Sequence, residues 1–175
     1  MSHEHRAGFT LIELLVVISI ISLLSSVVLS AVNTARQKAA NSQVLSVASE
    51  YRNAIELYRF NDPNGELPDP GNTVTTYCLG SYPDTGGFCD SNSFYPENAD
   101  LITALTPTYL PTFPTTKPVS WSGSDYYGPL YVCTSRPGGI CTKANMLWKY
   151  DATANPTYNC LGRPGVAGHC LYEFR

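Results

Sequence analysis

The sequence has few charged residues and no excess of basic ones. Charged side chains make up 14% of its 175 residues. The chain has 11 Lys and Arg residues and 14 Asp and Glu residues, which gives a formal net charge of −3 at pH 7. Domains that bind nucleic acid carry a basic patch or stripe on one face. We therefore expect no nucleic-acid partner for this chain.

Pairs of closely spaced metal ligands are also missing. All six cysteines follow residue 77, no C-x-x-C pair occurs, and no His pair lies near them. Structural zinc sites favour ligands about two to four residues apart. The cysteines therefore predict disulfides formed in an oxidising compartment, and we expect no metal and no cofactor.

Proline and glycine are absent between Phe9 and Phe60, and within residues 9–32 the only charged side chain is Glu13. As a helix at about 1.5 Å per residue, this segment would extend about 36 Å, more than a hydrocarbon core of about 30 Å. We predict a transmembrane helix over 9–32. Cleavage as an ordinary secretory signal, with a mature chain starting beyond residue 30, is the alternative.

Residues 33–60 predict an amphipathic continuation of the same helix. Apolar side chains recur there at spacings of three and four residues, while most of the charged ones lie off that stripe. The predicted stripe comprises Val44, Val47, Ala48, Tyr51, Ile55 and Tyr58. The turn-forming sequence NDPNG at 61–65 should end the helix.

Residues 61–175 predict a β-rich head that covers this stripe. Short β segments at 73–79, 129–134, 146–150 and 170–174 alternate with loops rich in Pro and Gly, and 97–105 suggests a short helix. A small antiparallel sheet packed on the helix gives an α+β fold.

Cysteines paired in sequence order would close three local loops, each containing Gly or Pro: Cys78–Cys89, Cys133–Cys141 and Cys160–Cys170. Sequence alone leaves other connectivities open.

The stretch GFTLIELLVV, residues 8–17, resembles the cleavage and methylation motif of type IV pilins and type II secretion pseudopilins. The resemblance implies a leader at 1–8, cleavage between Gly8 and Phe9, and N-methylation of Phe9. It also implies that Glu13 is the residue on which assembly depends, together with the new amine of Phe9.

The position of Glu13 has a physical reason that is independent of the resemblance. A charged carboxylate in a membrane helix costs about 2.5–3.5 kcal/mol and usually has a partner. Cleavage would create a cationic α-amine at Phe9, which can meet Glu13 in its own helix or in a neighbouring one. A Glu in the first turn also suits the helix dipole, so an intrahelical role is the alternative.

Four serines recur along one face of the predicted membrane helix. We interpret Ser19, Ser22, Ser26 and Ser30 as a packing seam, because small residues allow close helix approach in lipid. The alternative is that each hydroxyl bonds back to its own helix.

The head offers no recognisable catalytic set, so we predict a structural protein rather than an enzyme. His169 should be a loop residue rather than a general base. The polar side chains of Asp62, Asn64 and Glu66 fit a turn better than a calcium site. Four aromatic residues fit the sheet better than a glycan-binding patch: Trp121, Tyr126, Tyr127 and Tyr131.

The resemblance implies a subunit that polymerises into a type IV pilus or a secretion or competence pseudopilus. The implied partners are copies of itself and other pilin-like subunits, a prepilin peptidase, and an assembly platform with its ATPase. The subunit would sit in the cytoplasmic membrane with one span and the head outside, and then in an extracellular or periplasmic filament. The alternative is a membrane-anchored binding domain that does not polymerise.

Overall fold

The computed structural model describes residues 10–73, 75–114, 116, 118–121, 123–150, 163–164 and 168–174. Two α-helices and seven strands occur there, besides two short 3-10 turns: α1 (Leu11–Asn61), β1 (Tyr77–Cys78), α2 (Ala99–Leu105), β2 (Val119–Trp121), β3 (Ser124–Tyr126), β4 (Leu130–Ser135), β5 (Lys143–Lys149), β6 (Arg163–Pro164) and β7 (His169–Phe174). The α+β class predicted from the sequence, with a long amino-terminal helix and a small antiparallel sheet, is confirmed.

Helix α1 ends where the sequence supplies turn residues. The Asp62 carboxylate accepts hydrogen bonds from the backbone N–H groups of Asn64 (2.9 Å) and Glu66 (3.0 Å). Because this local bonding competes with helical hydrogen bonds, the chain leaves the helix immediately after Asn61.

The chain forms two compact units, Met1–Gln37 and Lys38–Arg175, and α1 contributes residues to both. In the first unit, the described residues 10–37 are helical from Leu11 onward, and their side chains are exposed. The second unit contains the sheets and the hydrophobic core.

One face of α1 is buried within the second unit. Its buried residues are Asn41, Val44, Val47, Ala48, Tyr51, Ala54 and Ile55. Five of these belong to the predicted stripe, and Asn41 and Ala54 extend it. Tyr58, also predicted, is only half-buried, and its ring meets that of Tyr109 edge-on at 5.6 Å.

The main sheet has five antiparallel strands in the order β1-β4-β5-β7-β6. The longest pairing joins β5 to β7, with Ala144 opposite Phe174 and Lys149 opposite His169. Large side chains from these strands pack with the buried face of α1, among them Tyr131, Met146, Trp148 and Phe174.

The predicted β segments differ from the observed strands mainly at their ends. The segment at 73–79 contributes only the short strand β1, and the one at 146–150 belongs to the longer strand β5. The β2–β3 hairpin was not predicted, because its short strands are joined by a tight turn containing Gly123 and show little alternation.

Residues 67–69, which follow the helix, are tied to the sheet. The Leu67 N–H donates to the Cys141 carbonyl (3.0 Å), and the Tyr131 hydroxyl donates to the Pro68 carbonyl (2.8 Å). Nε of Arg136 lies 2.8 Å from both carboxylate oxygens of Asp69. These bonds hold the segment that follows α1 against strand β4 and the loop that joins β4 to β5.

A smaller apolar cluster lies beside the main core. Cys78, Tyr82, Cys89, Tyr126 and Leu130 are buried in it, and Tyr95, Tyr127 and Leu147 pack around them. This cluster joins the loop between β1 and α2 to the β2–β3 hairpin.

Candidate functional site

The predicted processing site, Gly8 and Phe9, lies outside the described residues, which begin at Thr10. Thr10 directly precedes the first helical residue, Leu11, and occupies the N-cap position.

Thr10 and Glu13 form a capping box. The Thr10 backbone N–H and hydroxyl both donate to Oε2 of Glu13, at 2.8 and 2.7 Å. The Glu13 N–H in turn lies 3.3 Å from the Thr10 hydroxyl oxygen. The capping box satisfies donors at the helix end that have no partner within the helix.

In the capping box, only one carboxylate oxygen of Glu13, Oε2, accepts hydrogen bonds from Thr10. Both hydrogen bonds reach Oε2, and none of the described residues donates to Oε1. The side chain is thus oriented by its own helix while an acceptor oxygen can still meet a further cation. Sequence reasoning placed Glu13 here but missed Thr10, although T-x-x-E before an apolar run indicates a capping box.

The turns that follow Glu13 have an exposed apolar surface. From Leu11 to Leu29 every Leu, Ile and Val side chain is at least about half exposed. Within the described part of the chain, α1 is the helix long and apolar enough to cross a membrane. A helix that is apolar all round requires lipid or other apolar helices around it.

Three of the four predicted seam serines bond to their own helix. The hydroxyls of Ser19, Ser22 and Ser26 donate to the carbonyls of Leu15, Ile18 and Leu23, at 2.7–2.8 Å. This is the alternative that the sequence left open, although a donating hydroxyl can still accept a bond from a neighbour. Ser30 contributes its carbonyl, which accepts from the Thr34 hydroxyl at 3.2 Å. The packing seam stays a prediction.

Two disulfides close loops in the head. Cys78 is joined to Cys89, and Cys133 is joined to Cys141, which are the pairs that sequence order suggested. Cys170 is also disulfide-bonded, while Cys160, its predicted partner, lies outside the described residues. The Cys160–Cys170 pairing stays a prediction.

The acidic turn after α1 has the bonding of a turn. Asp62 accepts from two backbone N–H groups, and the Asn64 side chain donates to Glu66 (3.0 Å). Among the described residues, no group of three His, Cys, Asp or Glu side chains could hold a metal ion.

His169 is a strand residue, so its predicted place in a loop is wrong. It begins β7, opposite Lys149 of β5. Burial, with a smaller contribution from the Lys149 ammonium, lowers the pKa of His169. Burial likewise lowers the pKa of Lys149 and raises the pKa of the Tyr82 and Tyr131 hydroxyls.

The aromatic residues considered for a glycan patch have mostly core positions. Tyr131 and Tyr126 are buried, and Tyr127 is half-buried beside the smaller apolar cluster. Trp121 lies in β2. The buried hydroxyls of Tyr82 and Tyr131 donate to the backbone carbonyls of Leu79 (2.9 Å) and Pro68 (2.8 Å), which are structural roles.

Comparisons with known proteins agree on the amino-terminal segment. A family model described as the prokaryotic N-terminal methylation motif matches residues 5–29. Prepilin peptidase-dependent protein D of Escherichia coli (strain K12) is 44% identical over 54 residues, which is 31% of this chain and 37% of that protein. The match spans little more than a third of the curated relative's length. No solved structure matches the chain.

Proposed function

Because its amino-terminal methylation motif and its similarity to a prepilin peptidase-dependent protein fit the pilin and pseudopilin family, we propose that this chain is a non-enzymatic filament subunit. A prepilin peptidase cleaves it between Gly8 and Phe9, and Phe9 is then N-methylated. The subunit waits in the cytoplasmic membrane, and a membrane platform with its ATPase assembles it, with itself or related subunits, into a pilus or pseudopilus.

The observation that carries this proposal is the carboxylate of Glu13 at the start of an apolar helix. Its own capping box orients it, and Oε1 receives no bond from the described residues. In an apolar environment, a cation at that oxygen gains far more than it would in water. The methylated Phe9 amine of an adjacent copy is such a cation, and pairing it with Glu13 favours one axial stagger between the two helices.

The exposed apolar surface of the first unit supports assembly through the same helix. Lipid covers these side chains before assembly, and the equivalent helices of other copies cover them in the filament. The seam of Ser19, Ser22, Ser26 and Ser30 lets those helices approach closely.

The disulfides support a head that lies outside the cytoplasm. Cys78–Cys89 and Cys133–Cys141 persist in the periplasm or the extracellular space but are rare in a reducing cytosol. The head therefore faces the oxidising side of the membrane and later forms the outer layer of the filament.

Mass spectrometry of the mature amino terminus tests the processing step. We expect the purified protein to begin with N-methyl-Phe9. A retained Met1, or a chain that starts beyond residue 30, would contradict processing at Gly8 and point to a plain anchor or a secreted domain.

Two substitutions of Glu13 test whether its charge serves assembly. Glu13→Ala removes both the charge and the capping acceptor, whereas Glu13→Gln retains an acceptor for the Thr10 donors and removes only the charge. We expect both variants to be processed normally and to form few or no filaments, as judged by electron microscopy and shearing. Normal filaments from Glu13→Gln alone would show that capping suffices, and normal filaments from both variants would show that assembly does not depend on Glu13. A wild-type chain that forms no filaments would favour the anchored, non-polymerising domain.

A further inference from the structure

Few large apolar side chains are exposed on the described part of the second unit, Lys38–Arg175. They are Leu57 (52%), Phe60 (85%), Phe94 (72%) and Ile140 (39%). Single exposed apolar residues are ordinary on a protein surface. Leu57 and Phe60, however, lie together, and Phe94 lies on a tightly bonded loop.

Leu57 and Phe60 form a groove on the outer side of α1. With 3.6 residues per turn, they fall on the opposite side of the helix from Ala48 and Ile55. The groove has a volume of about 770 Å³ and is lined by Asn53, Glu56, Leu57, Arg59, Phe60 and Gly65. Glu56 and Arg59 lie 4.0 Å apart as an ion pair, so the groove carries little net charge.

Phe94 lies on a loop held by the buried carboxylate of Asp90. That carboxylate accepts from the N–H groups of Asn92 (3.2 Å), Phe94 (3.0 Å) and Tyr95 (2.9 Å). The adjacent residue Cys89 is fixed by its disulfide to Cys78. The exposed ring of Phe94 is therefore presented from an ordered backbone, which lowers the entropic cost of docking it.

The loop of Phe94 and the groove lie at different levels along α1. Asp90 forms a β-bridge with Tyr126, and Tyr126 lines a small internal cavity together with Val44 of α1. Leu57 is further along the helix than Val44 by about 20 Å at 1.5 Å per residue. The loop that carries Phe94 therefore lies near the level of Val44 on α1, whereas the groove lies near the level of Leu57, and the two surfaces are offset along the helix axis.

We propose that Phe94 of one copy docks into the groove formed by Leu57 and Phe60 of a second copy. Residues 91–95 (SNSFY) carry no charge, which matches an apolar groove with a neutral ion pair at its edge. Arg59 can also stack its guanidinium on the incoming ring. The groove belongs to α1, the helix whose apolar segment forms the proposed assembly interface, so the two contact regions share one element.

A contact between two different surfaces of identical chains does not close on itself as a symmetric dimer does. Repeated from copy to copy with an axial offset, it generates an open helical polymer. This inference rests on the proposed function, since it identifies a contact between heads within the filament.

Photocrosslinking of full-length subunits in filaments tests the contact directly. The photoreactive analogue p-benzoylphenylalanine replaces Phe94 and keeps an aromatic ring at that position. We expect a crosslinked dimer whose second peptide contains residues 53–65. Filaments that form without this crosslink, or that crosslink residue 94 elsewhere, would overturn the inference.

Two substitutions that introduce opposite charges on the two surfaces provide the second measurement. Phe94→Glu and Leu57→Lys should each lower filament yield about tenfold, the order of effect expected when a buried aromatic anchor is lost. The double variant should recover most of the yield, because the two new charges meet. Ile140→Glu changes an exposed apolar residue outside both surfaces and should leave the yield unchanged, with subunit levels in the membrane as the folding control.

The Glu13 variants separate the two proposals. If Glu13→Gln abolishes filaments while Phe94→Glu and Leu57→Lys do not, the filament function stands and the head contact is wrong. If wild-type subunits form no filaments and Glu13→Gln changes nothing, the filament function fails, and the head contact fails with it.

Discussion

Two carboxylates, Glu13 and Asp90, illustrate how this chain places charge in apolar surroundings. Glu13 is bonded by Thr10 at the start of an apolar helix, and Asp90 is buried under the loop that carries Phe94. In both cases the donors include backbone N–H groups within five residues. A local bond of this kind costs little chain entropy and keeps the carboxylate from being buried without a partner.

Asp90 gives a prediction at this scale. Asp90→Ala leaves the N–H groups of Asn92, Phe94 and Tyr95 without their acceptor and should lower the free energy of unfolding by about 2–4 kcal/mol. Denaturant unfolding of the full chain in detergent measures this loss.

Asp90→Asn is the matched control, because it retains one acceptor oxygen in the same shape. We expect a smaller loss than in the alanine variant. An alanine variant as stable as the wild type would mean that water replaces the carboxylate and that the loop is not held by Asp90.

Among the elements, the pairing of β5 with β7 brings two basic side chains together. Lys149 lies opposite His169, and its ammonium is 5.2 Å from the centre of the Tyr126 ring. Burial and the Lys149 charge both lower the pKa of His169. Protonation of His169 is therefore less favourable in the folded state than in the unfolded state, where its pKa is 6.5.

This pairing predicts a pH dependence of stability. Its sign follows from the lowered pKa: the contribution of His169 is complete above pH 6.5 and is lost as the pH falls through the folded-state value. We expect the midpoint of thermal unfolding to decrease between pH 7.5 and 5.5.

His169→Gln removes the titration and should flatten this decrease. The other two histidines, His3 and His5, precede Gly8 and would leave with the leader. An equal decrease in the glutamine variant would assign the pH dependence to the carboxylates.

At the scale of the whole molecule, two disulfides lie in different apolar clusters of the head, so we expect each to stabilise its own region. Cys78–Cys89 supports the smaller apolar cluster, and Cys133–Cys141 closes the loop between β4 and β5. Each encloses a short loop, so the chain-entropy model gives each a similar stabilisation of about 2–3 kcal/mol.

Paired serine substitutions test this division. Cys78→Ser with Cys89→Ser should accelerate hydrogen exchange at the amides of Phe94 and Tyr95, whereas Cys133→Ser with Cys141→Ser should not. Both pairs should lower overall stability by comparable amounts. Equal exchange at residues 94 and 95 in the two variants would show that the head unfolds as one unit.

Sequence reasoning succeeded where the physical signal is local. The absence of Pro and Gly predicted one long helix, and spacings of three and four residues identified five of the seven buried residues on its inner face. It failed where distant segments decide. The place of His169 depends on a strand register, and the burial of Asp90 depends on the segments that pack around it; neither leaves a periodic pattern in the sequence.

The sequence by itself determined the long apolar helix, the position of Glu13 within it and the likeness to a processed, methylated filament subunit. Helix formation and capping act between residues a few positions apart, so they can be read along the chain. Only the tertiary structure decided that Asp90 holds Phe94 outward and that Leu57 and Phe60 stay uncovered. Burial and exposure depend on which distant segments pack together, and that packing follows from the minimum of the whole chain's free energy.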